Sequence, residues 1–160
     1  MKKHLFKWLL KRAEGVMSRR APDYIVGGKN NPYLYRWWII PRNPIFNIYL
    51  HYFLRSDDPR ALHDHPWFNI SLLLNAEYLE HRPGHRFPIV RRRGSIIVRR
   101  PTAAHRIQLF KANGKERPVT TLFITGPRVR EWGFLCPRGW RRWQDFVAKD
   151  DPGAIGPGCD

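Results

Sequence analysis

The sequence predicts an all-β fold, a small barrel or sandwich of short strands with one amphipathic helix at the N-terminus. Three observations carry this reading. Fourteen prolines and twelve glycines punctuate the 160 residues, which suits short strands and turns rather than long helices. Runs rich in β-branched and aromatic residues recur between these breaks, the pattern of a sandwich or barrel. There is no βαβ rhythm, no repeat of solenoid length and no Gly-rich phosphate loop. At this length one domain with a sizeable core is expected.

In HLFKWLLKRAEGVM, residues 4–17, Leu5, Leu9, Ala13 and Val16 share one helical face, widened by Phe6, Leu10 and Met17. The spacing predicts an amphipathic helix ending near Gly15 or soon after. Packing across one end of the domain is the favoured use of that face; docking to a membrane surface or a partner is the other. SRRAPDYIVGGKNNP reads as a polar, turn-rich link. Residues 1–30 are therefore helix and link, and residues 31–148 the barrel. YLYRWWII and IFNIYLHYFLRS read as strands on either side of PRNP. SDDPRA is a loop leading into ALHDHPW. FNISLLL is a strand, NAE a turn, YLEH a continuation and RPGH another turn. FPIVRRR, SIIVRR and HRIQLF are three more strands. KANGKERP is a hairpin-like turn around Asn113 and Gly114, and VTTLFITG is a well-marked strand. EWGFLC follows, then PRGW, then RRWQDFVA as a short helix or last strand. Residues 149–160 form a Gly/Pro-rich tail expected to be loosely held.

Lys and Arg number 29 against 13 Asp and Glu, a net charge of +16. Such a charge speaks to partners rather than fold: nucleic acid, an anionic surface or an anionic substrate. The two cysteines, Cys136 and Cys159, make neither a disulfide framework nor a zinc-finger spacing, and a reducing cytoplasmic compartment with an inert buried Cys136 thiol fits best. No apolar run reaches membrane-spanning length. Lys7 interrupts the apolar stretch at the start, which makes a poor signal peptide. No Ser-His-Asp order, paired-carboxylate motif or Cys-His signature stands out.

The chemistry concentrates at histidines. His63 and His65 are two apart, so on a strand they face the same side and can aim two nitrogens at one point. His105 lies downstream in GSIIVRRPTAAHRI, a segment opened by Gly94 and bent by Pro101. Two ligands from one strand and a third from a neighbour give a facial metal site with open positions for water, oxygen or substrate. His51 lies on the preceding strand, while His81 and His85 flank a turn where a surface role is expected. Asp64, between the pair, should point away from them into a salt bridge or a backbone hydrogen bond. Trp67 follows at the rim and can wall a pocket.

These residues resemble the cupin superfamily, whose first motif contains His-x-His and whose second runs from a Gly to a His. His63 and His65 supply the first pair, and Gly94 to His105 keeps the second motif's spacing. The resemblance covers residues 35 to 145. It implies a double-stranded β-helix, or jelly-roll, barrel with one divalent transition metal in its mouth, Fe(II) first, with Ni, Mn or Zn as alternatives. It also implies a homodimer. The chain departs from the motifs. Asp57 stands at the opening Gly, Asn69 or Ile70 at the metal-binding Glu, and Ala76 at the closing Gly. Pro101 falls one residue late, with Thr102 and Leu109 at the remaining Gly and Asn. The Glu is missing, which leaves a three-histidine site, of the kind found in thiol dioxygenases, or a fourth ligand from elsewhere. Asn69 can offer a weak carbonyl ligand.

Residues 81–115 contain no Asp or Glu but many arginines. The guanidinium fork suits carboxylates and phosphates, and Arg99, Arg100 or Arg106 is expected to neutralise a small anionic substrate beside the metal. The same stripe suits nucleic-acid phosphates. Trp132, Phe134, Trp140 and Trp143 interleave with Arg near the C-terminus and are expected to close one end of the barrel rather than stack on bases. The combined reading is a metal-dependent enzyme, dioxygenase-like, acting on a small anion. A metal-dependent isomerase or hydrolase is the alternative, as is a non-catalytic barrel binding a ligand or nucleic acid.

Overall fold

The computed structural model describes residues 2–149 and 155–160. Helix α1 (Lys2–Arg19) opens the chain. It is followed by β1 (Tyr24–Val26), β2 (Leu34–Trp38), β3 (Asn47–Phe53), β4 (Leu62–His63), β5 (Asn69–Leu73), β6 (Glu77–His81) and β7 (Ile89–Arg92). Then come β8 (Ile96–Arg99), β9 (Arg106–Leu109), β10 (Lys111–Ala112), β11 (Lys115–Glu116), β12 (Val119–Thr125), β13 (Gly133–Cys136), β14 (Gly139–Arg142) and α2 (Trp143–Phe146). The main sheet has the order β1-β2-β3-β12-β5-β8; β7-β6-β9 and β14-β13-β4 form two smaller sheets, and β10-β11 a hairpin. The named pairings are antiparallel. This is the predicted all-β jelly roll, built from separate facing sheets rather than one closed cylinder.

Side-chain alternation assigns each face of the main sheet. On β3, His51 and Phe53 look into the interior, whereas Leu50 and Tyr52 look out. On β12, Thr121 and Phe123 look in and Leu122 out. The inner face packs on the β7-β6-β9 sheet through a cluster that includes Leu34, Leu73 and Val119 on one side and Tyr78, Ile107 and Leu109 on the other. The outer face is covered by α1, whose Phe6 and Ala13 are buried with Trp37, Leu50 and Leu74. The helix therefore packs flat on the sheet and not across its end. Its buried stripe is also rotated from the predicted one: Phe6 is 3% exposed and Leu5 52%. The larger ring takes the inward place, and Leu5 is left at the edge.

Residues 20–30 are more than a link. Tyr24–Val26 pairs with Leu34–Arg36 and extends the main sheet. The turn between them is tight: Tyr33 N donates to Val26 O at 2.7 Å. Gly27 adopts φ +87°, and a Cβ there would meet Asn31 O and Tyr33 N at 2.8 Å, so only glycine fits. Gly94 shares only the positive φ, since a Cβ there would meet open space. Its φ is +88° in the turn that joins β7 to β8, where Ser95 N donates to Arg92 O at 2.9 Å.

The C-terminal expectations need correction. Cys136 and Cys159 form a disulfide, so Cys136 is not a free thiol. The pairing runs against a reducing compartment, where thiols are kept reduced. Residues 150–154 of the predicted tail lie outside the described residues. Beyond them the chain is held: Gly158 N donates to Phe146 O at 3.0 Å and Arg60 Nη1 to Gly156 O at 3.0 Å. Proximity of the two cysteines comes from the fold, which spacing alone does not reveal. No helix among the described residues is long and apolar enough to cross a membrane.

Denatured, unreduced protein is expected to show no thiol reactive towards an alkylating reagent. Reduction, or Cys159→Ser, should lower unfolding stability in urea by about 2–4 kcal/mol.

Candidate metal centre

The three histidines predicted to converge do so. His63 closes β4, and its backbone forms a two-way bridge with His105: each N–H donates to the other's carbonyl at 2.8 Å. Two residues on, His65 N donates to Pro101 O at 3.2 Å. Their ring centroids lie 4.7 Å (His63–His105), 5.0 Å (His63–His65) and 5.2 Å (His65–His105) apart. One ligand nitrogen from each lies within 4.8 Å of the others. Nε2 of His65 and Nε2 of His105 are 3.0 Å apart. Two nitrogens each about 2.0–2.1 Å from one ion stand about 2.9–3.4 Å apart at right-angled to tetrahedral geometry, so the spacing fits a shared metal.

The opposite nitrogens face acids. His63 Nδ1 is 3.5 Å from Asp57, and His105 Nδ1 is 3.5 Å from Glu80. His105 Nδ1 is buried and makes no hydrogen bond. A carboxylate behind an imidazole holds its Nδ1–H tautomer and leaves Nε2 free to ligate. Asp57, the departure from the motif's opening Gly, is also fixed by the Tyr33 hydroxyl and by Ile107 N–H. Burial pushes the proton affinity of His65 and His105 well below the ordinary histidine range, and the neighbouring histidines and Arg99 add to it. His51 is lowered too, by burial and by Arg36. Neutral imidazole is the form that binds metal.

Glu80, on β6, is the residue the sequence reading missed. It is 1% exposed and accepts from Arg99 Nε at 3.0 Å and Arg91 Nε at 2.7 Å. Burial alone would push its carboxyl up, but the Arg99 and Arg91 guanidiniums outweigh burial and hold it below the ordinary range. The available signal was the acid's place two residues after Tyr78, on the inward register of YLEH, directly before an acid-free Arg block.

The histidines open into a cavity of about 730 Å³ between the sheets. Trp67 lines it and stacks on His65, 6.3 Å between centroids. Arg99 also lines it. The other predicted substrate residues do not. Arg100, just past the end of β8, is exposed. Arg106 turns to a shallow outer groove beside Arg60 and His81. Asn69 is fully buried, with its amide donating to Trp67 O at 3.4 Å, and does not line the cavity. Asp64 points away as expected, accepting from Gly133 N at 2.8 Å and Trp140 Nε1 at 2.9 Å and pairing with Arg130. Trp132 stacks on Trp143 at 5.7 Å as an end closure.

No protein-family model matches the chain, and no curated protein matches it significantly. Solved structures do. EutQ of Clostridium difficile aligns at TM-score 0.50 with 8% identity, over 70% of this chain and 83% of that one. An RmlC-like cupin from Ralstonia eutropha gives 0.47 and 15%, over 70% and 68%. The DMSP lyase DddQ from Ruegeria pomeroyi gives 0.46 and 17%, over 59% and 47%, so the aligned part spans about half of that lyase.

Two outcomes follow from the buried groups. In metal-free protein, His51, His65 and His105, whose proton affinity is lowered, take up protons more readily once unfolded. Stability should therefore be level above about pH 7.5 and fall as pH drops below about 6.5, read by thermal melts in EDTA. Glu80→Ala should cost about 3–5 kcal/mol in urea unfolding because it strands buried Arg99. Exposed Glu77→Ala should cost under about 1 kcal/mol.

Proposed function

We propose, taking the cupin fold of the chain as premise, that it is a metal-dependent enzyme acting on a small anionic substrate. His63, His65 and His105 would hold one divalent transition metal, Fe(II) in the first instance, with Ni, Mn or Zn as alternatives. The observation that carries the reading is the convergence of three imidazoles on one point at the wall of a substrate-sized cavity. A divalent ion with only three protein ligands supplies Lewis-acid positions for substrate and, if iron, for dioxygen.

The chain's own residues account for binding and orientation. Asp57 and Glu80 stand 3.5 Å behind Nδ1 of His63 and His105, which would leave Nε2 of each ring to hold the metal. Trp67, Phe123 and Trp132 wall the cavity and limit water. Among the described residues, arginine and lysine are the charged side chains of the lining, with no Asp or Glu, which favours an anion. A dioxygenase reaction is the reading we favour, because three neutral ligands leave a cationic centre with positions for both O₂ and an anionic substrate.

The test is metal content by elemental analysis of untagged protein, beside His63→Ala. Close to one equivalent of metal in the wild type, reduced at least tenfold in the variant, is expected. Turnover of candidate acids under air but not under nitrogen would identify oxygenation; equal turnover under both would identify isomerisation or hydrolysis. Wild type that neither carries nor takes up iron, nickel, manganese or zinc would overturn the metal reading.

A further inference from the structure

The cavity contains a second cluster besides the three histidines: Arg36 and His51 line it, and Tyr49 packs behind them. Arg36 sits on β2 directly across from His51 on β3. Its Nε donates to His51 Nε2 at 2.8 Å, and its guanidinium carbon lies 5.0 Å from the centre of the Tyr49 ring. Both contacts orient the guanidinium without neutralising it, since a neutral imidazole and a phenol ring carry no formal charge. Among the described residues Arg36 forms no salt bridge, and its two Nη groups donate to no protein acceptor.

The cavity's other arginine is different. Arg99 is committed to Glu80 through both Nε and Nη2, and its charge is spent within the fold. Lys149 is exposed at the cavity edge. Among the described residues the lining offers Arg36, Arg99 and Lys149 as cations, with no carboxylate. Burying an uncompensated guanidinium costs free energy unless an anion arrives to pair with it. Arg36 is the one cavity group with a planar pair of free donors, the geometry that takes an oxyanion bidentately.

Position sets what the anion belongs to. Phe123 separates the two clusters: its ring lies 5.1 Å from His51 and 5.7 Å from His65. A molecule seated over Phe123 reaches Arg36 with one end and the three histidines with the other. We propose that Arg36, oriented by His51 and Tyr49, binds a carboxylate or phosphate at the end of a small bifunctional substrate whose other end carries the metal-binding group. This deepens the proposed function and rests on its reading of the cavity as the substrate site. His51 acts through Arg36 as a positioning residue.

The test uses metal-free protein first, so that it does not depend on the histidine site. Inorganic phosphate, succinate and, as an uncharged control, succinamide are titrated against the cavity tryptophans by fluorescence and against the protein by calorimetry. The variants are Arg36→Met, which keeps the stem, and Arg36→Lys, which keeps the charge. Wild type should bind phosphate or succinate but not succinamide; preference between the two anions tells which oxyanion the subsite takes. Arg36→Met should weaken that binding by about ten- to a hundredfold, with Arg36→Lys intermediate and metal uptake unchanged in both. Anion binding that survives Arg36→Met, or wild type that binds neither anion at millimolar concentration, overturns the proposal. Anion binding without metal uptake would leave the subsite standing and remove the metal reading; metal uptake without anion binding would do the reverse.

Discussion

The two-way backbone bridge between His63 and His105 is the constraint on which the site depends. Each residue gives its N–H to the other's carbonyl at 2.8 Å. The bridge clamps the end of β4, in one small sheet, to the entry of β9, in the other. With the backbones locked side by side, the two imidazoles cannot separate, and the two-residue step to His65 brings in the third. A site assembled from distant parts of the chain needs such a lock, because a convergent geometry held only by side chains would give way to their rotamer freedom.

Around that lock the fold solves an electrostatic problem. Several strongly polar groups are removed from water at once: His51, His105, Glu80, Asp57 and Arg99. Each is balanced by a neighbour. Glu80 takes two guanidiniums and stands behind His105; Asp57 takes a backbone N–H and a phenol and stands behind His63. The acids thus neutralise the framework on the outer side of the histidines, and among the described residues the cavity side carries no acid. The result is a chamber whose polarity is directional, with charge settled behind the ligands and positive potential in front of them.

Much of this was legible in the sequence. His63 and His65 declare themselves by a two-residue step, and His105 by its distance from a turn glycine. The turn at Gly94 and the outward Asp64 follow from local rules of chirality and alternation. What was not legible depends on pairing between distant strands. Arg36 sits in YLYRWWII, an ordinary strand by its composition, and gains meaning only when β3 places His51 opposite. Glu80 pairs with arginines 11 and 19 residues away, and the partner of each arginine in an acid-poor block cannot be chosen from the chain alone. Arg100 and Arg106 were drawn in by the same block, although Arg100 lies exposed past the end of β8 and Arg106 faces an outer groove. The strand at Tyr24–Val26 was hidden by its turn-rich surroundings, and the disulfide by the separation of its cysteines.

The most direct test of the convergent site is anomalous diffraction from crystals of the protein grown with the metal it takes up, measured on either side of that metal's absorption edge. The account predicts one strong anomalous peak inside the cavity, within coordinating distance of Nε2 of His63, His65 and His105, with the Nδ1 atoms of His63 and His105 still turned to Asp57 and Glu80. A peak held by other residues, or by fewer than three of these nitrogens, would contradict it.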